Sequence, residues 1–161
     1  QNCFEKLNAF IESQDTVKSN IDFSKTLKGL DIRNILYNDN WLYFLDPGKL
    51  KVEPTVSGYA RYLATCEMVY WGSIYFFLNF KISRNIFSII RDPFISMSKS
   101  NIDLLKLYLI KEFIKHWKQA YINVELKNWP EIFKSFIKRI YVDRFFNREV
   151  NNLIENEKYL K

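Results

Sequence analysis

The stretch Glu67–Lys81, "EMVYWGSIYFFLNFK", decides the fold, because the thirteen residues between its two end charges are all uncharged. A helix that crosses a bilayer needs about 20 consecutive apolar residues. Extending the window back to Val56 adds the charge of Arg61, so the sequence predicts no membrane span. From Tyr59 onward, apolar residues cover most of the helix circumference, which is typical of a helix buried on most sides. The stretch therefore predicts the central helix of a bundle.

Further helical patterns lie on both sides of this central helix. Residues 2–13 and 102–122 each place apolar residues at the spacing of one helix face. Residues 85–90 show a shorter pattern, which Pro93 is expected to end because proline cannot continue the backbone hydrogen bonds of a helix. The sequence thus predicts helices over most of its length.

The last predicted helices follow Asn128, a candidate N-cap, with Pro130 tolerated in the first turn. The apolar residues of this segment are expected to form an inner stripe, with Lys134 and Lys138 pointing away. That stripe comprises Ile132, Phe133, Phe136, Ile137 and Ile140. The polar tail over 147–161 permits either a last helix or a fraying end.

Residues 31–54 are open to two interpretations. Apolar residues alternate on both sides of a turn at Asp46–Gly48, first at Trp41, Tyr43 and Leu45, then at Leu50 and Val52. That alternation favours a β-hairpin. The alternative is a pair of short helices, Asp31–Tyr37 and Asn40–Leu45. A further short helix is predicted over Ser24–Leu30, ended by Gly29.

Composition supports a mainly α fold. The chain has only four glycines and four prolines, too few for the frequent turns of a many-stranded sandwich. We expect a single-domain helical bundle of five to seven helices over residues 1–161, with a small β-hairpin near residues 40–53 as the favoured alternative there. Because the sequence lacks an initiating methionine, we expect it to be a fragment of a longer protein.

The cysteine and histidine content argues against metal and disulfide chemistry. Cys3 and Cys66 are the only cysteines, and His116 is the only histidine. These residues are too few for a disulfide framework or a structural zinc site. We therefore expect no cofactor and a reducing, intracellular setting, nuclear or cytoplasmic.

Catalytic signatures are also weak. A histidine base needs a partner at hydrogen-bond reach, and the residues around His116 offer none. The four glycines are scattered at 29, 48, 58 and 72, so no glycine-rich phosphate loop exists. Cys66 lies on an apolar helix, where a thiol is usually inert packing. We expect the protein not to be an enzyme.

Positive charge is concentrated in residues 101–148, which carry ten Lys and Arg against five Asp and Glu. If the two helices of this segment pack antiparallel, their basic faces form one surface that could neutralise phosphates. The candidate nucleic-acid-binding residues are Lys111, Lys115, Lys118, Lys134, Lys138 and Arg139. The alternative is that these side chains only form the solvated faces of amphipathic helices.

Trp41 and Tyr43 are candidate partner-binding residues. Trp and Tyr are enriched in binding hot spots, and exposed apolar patches usually mark partner sites. The alternative is that both rings cap one end of the bundle. We expect a non-enzymatic helical protein–protein interaction module, or a subunit of a larger assembly, whose partner is another protein. Nucleic-acid binding through residues 101–148 is the alternative function.

Overall fold

The computed structural model describes residues 21–75 and 84–155, together with Glu5 and Ala9. The strands are β1 (Phe23–Leu27), β2 (Ile35–Asn38), β3 (Trp41–Phe44) and β4 (Leu50–Pro54). The α-helices are α1 (Thr55–Tyr75), α2 (Arg84–Met97), α3 (Ile102–Glu125), α4 (Glu131–Ile137) and α5 (Arg144–Glu155). Single 3-10 turns lie at Ile32–Asn34 and Lys99–Asn101, and a π-helix spans Lys138–Asp143.

The mainly α prediction is confirmed. α4, the π-helix and α5 follow one another without a break, so residues 84–155 together with α1 form four helices. The expected number of five to seven is not matched, because the π-helix joins segments that would otherwise count separately. Of the predicted helix over 2–13, Glu5 and Ala9 are helical, and the remainder lies outside the described residues.

The β structure near residues 40–53 is present, but its pairing differs from the prediction. β3 pairs with β2, and β4 pairs with β1, in two separate antiparallel sheets. Asp39 and Asn40 both have positive φ, 49° and 64°. Two central residues with positive φ are the mark of the tight type I′ turn that closes a two-residue hairpin. The hairpin therefore turns at Asp39–Asn40 and not at Asp46–Gly48.

The short helices predicted in this region are wrong. β1 replaces the helix over Ser24–Leu30, and β3 replaces most of Asn40–Leu45. Asp31–Tyr37 is divided between the 3-10 turn at Ile32–Asn34 and the start of β2. The loop at Asp46–Gly48 instead packs against the end of β1, where the Gly29 amide donates to the Pro47 carbonyl at 3.1 Å. A Cβ at Gly29 would lie 2.1 Å from the Asp46 carbonyl oxygen, so this approach requires glycine.

α1 is the central helix, as predicted. One side of α1 buries Ala60, Leu63 and Ala64 against α3, in the same core cluster as residues of the C-terminal helix. Another side buries Tyr62 and Cys66 against Phe87 of α2. These contacts confirm the prediction that apolar residues surround the first four turns of α1. The predicted continuation toward Lys81 lies outside the described residues, as do the side chains of 71–75. Within the described ranges, no helix has both the length and the hydropathy that a bilayer span requires.

α2 does not end at Pro93, contrary to the prediction. The helix continues to Met97 with Pro93 inside it. A proline removes the hydrogen bond to the carbonyl four residues earlier, here that of Ile89. Both Ile89 and Pro93 lie on the exposed side of α2, where water can satisfy the freed carbonyl. The backbone can therefore accommodate the proline.

α3 confirms and extends the helix predicted over 102–122. Phe113 of α3 is fully buried and meets the rings of Phe145 and Phe146 edge to face, with both centroids 6.4 Å away. Phe145 and Phe146 contact each other at 4.9 Å. The tail is helical as far as Glu155, because α5 buries these rings together with Val150. The core thus lies between α1, α3 and α5.

The predicted orientation of α4 is wrong. Its N-cap is Pro130, without a side-chain cap bond, so Asn128 does not cap it. Ile132, Phe133, Phe136 and Ile140, expected to face inward, are exposed, and of that stripe Ile137 alone is partly buried against the core. Lys134 and Lys138, expected to point away, have side chains only 12% and 19% exposed. The helix is turned with its basic side toward α3.

Candidate partner-binding surface

The exposed apolar stripe of the C-terminal helix is the main candidate site. We call it the α4 face, and it consists of Trp129, Ile132, Phe133, Phe136 and Ile140. Steps of three and four residues lead from Phe133 to Phe136 and Ile140, and Ile132 precedes Phe133 directly, so these four lie on one side of the helix, while Trp129 lies in the loop just before it. Ile132 is 84% exposed and Phe136 49% exposed. The exposed side chains of Ile122 and Leu126, near the end of α3, add apolar surface just before it.

Ion pairs hold the opposite side of this helix against α3. The Lys134 ammonium lies 3.7 Å from a Glu125 carboxylate oxygen and 2.7 Å from Glu131. Lys138 donates a hydrogen bond to the same Glu125, and its ammonium lies 5.2 Å from the Tyr121 ring centroid. A cation over an aromatic face is attracted by the ring quadrupole. These contacts favour the orientation that leaves the α4 face open.

The π-helix reorients the chain after the α4 face. Asp143 follows Phe136 by seven residues, a spacing that would place it near Phe136 on a regular α-helix. Instead, one Asp143 carboxylate oxygen accepts hydrogen bonds from the Trp117 indole at 2.9 Å and the Tyr121 hydroxyl at 2.6 Å. Burial, aided by the bond to Asp143, raises the pKa of Tyr121 to about 12. The wider π turn thus brings Asp143 round to α3.

Neighbouring rings support the α4 face. Trp129 meets Phe133 edge to face with centroids 5.1 Å apart, and Phe136 meets Tyr141 at 6.2 Å. Such aromatic pairs stabilise the structure by more than the burial of their apolar area alone. The rings of the face are therefore positioned before any partner arrives.

The six predicted nucleic-acid-binding residues do not share one surface. Lys111, Lys115 and Lys118 are exposed on α3, as expected, and Arg139 is exposed beside the α4 face. Lys115 pairs with the buried Glu112 at 2.9 Å. Lys134 and Lys138 turn inward to Glu125, and that arrangement divides the predicted basic surface.

Trp41 and Tyr43 lie on the outer side of the β2–β3 hairpin. Trp41 is 70% exposed, and Tyr43 pairs across the hairpin with the exposed Leu36. On the other side, Ile35 packs against the cluster that includes Tyr62. Both predicted residues are therefore available to a partner, on a different part of the molecule from the α4 face.

A buried polar cluster joins the sheets to α1 and α3. Arg61 lies 2.7 Å from Glu53, donates to the Leu27 carbonyl at 2.8 Å and lies 4.0 Å from the buried Glu112. Burial alone would raise the pKa of Glu53, but the hydrogen bonds from Thr26 and Arg61 outweigh it and lower that pKa. Every charge in this cluster has an opposite partner, which is the pattern of a structural network.

His116 and Cys66 have the environments of packed residues. Burial, followed by the charge of Lys115, lowers the pKa of His116, and its Nε2 has no hydrogen-bond partner among the described residues. Burial raises the pKa of the Cys66 thiol to about 12, which suppresses the reactive thiolate. Across 21–75 and 84–155, no three His, Cys, Asp or Glu side chains cluster in a way that could hold a metal ion.

In the sequence, the α4 face has the pattern of a core stripe, although one signal distinguishes it. Later apolar residues of the same continuous helix, Val142, Phe145 and Phe146 among them, recur out of phase with Phe136 by roughly a third of a turn. A straight helix that packs on one side can bury only one of two such stripes.

Comparison with known proteins gives no match for this chain among protein-family models, curated proteins or solved structures.

Proposed function

We propose that this chain is a non-enzymatic protein-interaction module that binds a partner protein through the α4 face. One observation carries the proposal. The helix turns its apolar side to solvent while Lys134 and Lys138 occupy its inner side. An amphipathic helix that packs on the protein through its polar side leaves its apolar side exposed to solvent. Exposed apolar patches usually mark partner sites.

The composition of the face supports the same function. Trp129, Phe133 and Phe136 are large rings with few rotatable bonds, so a partner can bury much area at a small cost in conformational entropy. The helix beneath them is fixed to α3 through Glu125 and Asp143. A rigid support of this kind favours binding, because less order has to be created on association.

The outer side of the hairpin supports a second contact. Trp41, Tyr43 and Leu36 present apolar side chains to solvent, as expected for a chain that is a subunit of a larger assembly. We also place the module in a reducing, intracellular setting, nuclear or cytoplasmic, because Cys66 is a free thiol.

Nucleic-acid binding is the less favoured function. Lys111, Lys118 and Arg139 remain available for phosphate contacts. Lys115, Lys134 and Lys138 are paired with carboxylates, and a phosphate would have to displace those partners. A labelled single strand and a labelled duplex, titrated from low to physiological salt, test this function directly.

The experiment that tests the proposal is site-specific photo-cross-linking in cells that make the chain. A photoreactive phenylalanine derivative replaces Phe136, and a matched control carries it at Ile89, which is more exposed but lies on α2. We expect a cross-link to one defined protein from position 136 and not from position 89. The proposal fails if position 136 gives no protein cross-link, or if both positions capture the same set of proteins.

A further inference from the structure

We infer that the partner segment for the α4 face is an amphipathic helix whose apolar stripe is flanked by Asp and Glu side chains. This inference rests on the proposed function and adds the chemistry of the partner. It follows from the shape of the face and from the charges around it.

The shape of the α4 face suits a helix. Its residues form a single stripe along about two turns of the helix, from Ile132 to Ile140, and Trp129 extends it just before the helix begins. Phe133, Phe136 and Ile140 are each close to half exposed and form a ridge along the helix, and Ile132, 84% exposed, projects beside them. Ridges of this kind pack into the groove between side chains of a second helix.

The charges around the face favour an acidic partner. Residues 111–144, all of which the structure describes, contain four carboxylates, and each has a partner within the chain. Glu112 pairs with Lys115, Glu125 and Glu131 with Lys134, and Asp143 accepts from Trp117 and Tyr121.

Five exposed cations of the same segment have no ion pair among the described residues. Lys111 lies on α3 about two turns before Lys118, and the other four lie within four residues of an exposed apolar residue of the face or of Ile122. These four are Lys118, Lys127, Arg139 and Arg144. Lys118 lies one turn before Ile122 on α3, and Lys127 lies two residues before Trp129. Arg139 directly precedes Ile140. A partner with acidic residues along its flanks would neutralise this excess, whereas a basic partner would be repelled.

The same charges weigh against other occupants. A second copy of the chain would bring two sets of these cations together, and like charges across an interface are costly. Nucleic acid offers no apolar stripe to cover Phe136.

The test uses synthetic helical peptides of about 20 residues, long enough to be helical in part when free. All share one leucine stripe at coiled-coil spacing, and their flanking positions carry Glu, Gln or Lys. Binding of the labelled peptides to the full chain is measured by fluorescence anisotropy at low and at high salt. Because each exposed ion pair contributes about a factor of two, four pairs should make the Glu peptide bind about sixteenfold tighter than the Gln peptide. High salt should shrink that difference.

Matched variants locate the binding. Phe136→Asp should abolish binding of every peptide, and Ile89→Asp should leave it unchanged. A chain with Lys127→Glu and Arg139→Glu should reverse the preference and bind the Lys peptide more tightly than the Glu peptide. This reversal separates specific charge contacts from nonspecific attraction to a basic protein.

Three outcomes would overturn the inference. One is equal affinity for the Glu and Lys peptides, or no binding of either. Another is reversible self-association in sedimentation that Phe136→Asp abolishes, which would make a second copy the occupant. The third is cosedimentation with vesicles of phosphatidylcholine and phosphatidylserine, or displacement of the Glu peptide by duplex DNA, through Phe136. If position 136 still cross-links one protein in cells while no peptide binds, the proposed interaction module is supported and the acidic helical partner is rejected.

Discussion

The Tyr121 hydroxyl donates a 2.6 Å hydrogen bond to Asp143, a residue that a regular α-helix would carry away from α3. The Trp117 indole donates to the same carboxylate oxygen, and the Trp117 ring stacks on Phe146 with centroids 5.8 Å apart. These contacts require the π-helix over Lys138–Asp143, which rotates the chain between two apolar stripes. The first stripe is left open to solvent, and the second joins the core.

Removal of the Asp143 carboxylate should destabilise the fold. Asp143→Ala leaves two partly buried donors, on Trp117 and Tyr121, without their acceptor, and we expect a loss of about 2–3 kcal/mol in the free energy of unfolding. Tyr121→Phe removes one bond and should cost about 1 kcal/mol. Urea unfolding followed by circular dichroism measures both. If Asp143→Ala costs less than Tyr121→Phe, the carboxylate does not hold the π turn.

Substitutions on the two stripes of the C-terminal helix should differ sharply in cost. Phe136→Ser changes a half-exposed ring and should lower the free energy of unfolding by less than about 1 kcal/mol. Phe146→Ala opens a cavity at a fully buried site and should cost about 3–5 kcal/mol. Chemical denaturation of both variants tests the assignment. Equal costs would mean that the α4 face is buried in the free protein.

The central helix could be predicted from sequence because burial on several sides leaves a strong composition signal around Leu63 and Cys66. α3 could be predicted for the same reason, since Leu109, Ile110 and Phe113 keep one helical phase. Such regular periodicity is the part of a fold that a sequence displays directly.

The pairing of the strands could not be predicted, because the choice between the turns at Asp39–Asn40 and Asp46–Gly48 depends on tertiary contacts. Gly29, far away in sequence, packs against the second of these turns, and β1 is the partner that takes β4. Local alternation identifies strands but not their neighbours.

The orientation of α4 could not be predicted because its apolar residues follow the period of one uninterrupted α-helix. The π-helix breaks that period, and Glu125, on another helix, provides the partner that draws Lys134 and Lys138 inward. Ion pairs between elements leave no periodic signal in a sequence. The periodicity alone therefore predicts core where the structure has an exposed face.

Cys66 should be protected from reagents in the folded protein. Its side chain is fully buried, and burial raises its pKa to about 12 from an ordinary value of 9.0. In a Cys3→Ser variant, we expect a thiol-specific reagent to label Cys66 only as fast as the chain opens, and labelling should become rapid when denaturant unfolds it. Rapid labelling under native conditions would show that the packing around α1 is more open than the structure has it.

Stability should depend on the protonation of His116. Burial lowers its pKa below the ordinary 6.5, Lys115 and Arg33 add to that effect, and Glu112 and Asp31 oppose it. Below pH 6.5 the unfolded chain therefore binds a proton at His116 that the folded chain resists. Since stability falls wherever the unfolded state binds more protons, the free energy of unfolding should decline as the pH falls from neutral through the folded pKa.

The measurement is the urea midpoint of the chain and of His116→Gln, from neutral pH down to about pH 5. This range lies above the ordinary values of 3.8 for Asp31 and 4.5 for Glu53, whose pKa values are lowered further by hydrogen bonds that outweigh the opposing effect of burial. Their contributions are therefore lost only in more acid solution. We expect the midpoint of the unsubstituted chain to fall over the range and that of His116→Gln to change less. Parallel curves for the two proteins would mean that His116 titrates alike in the folded and unfolded chain, and that its buried Nε2 reaches water.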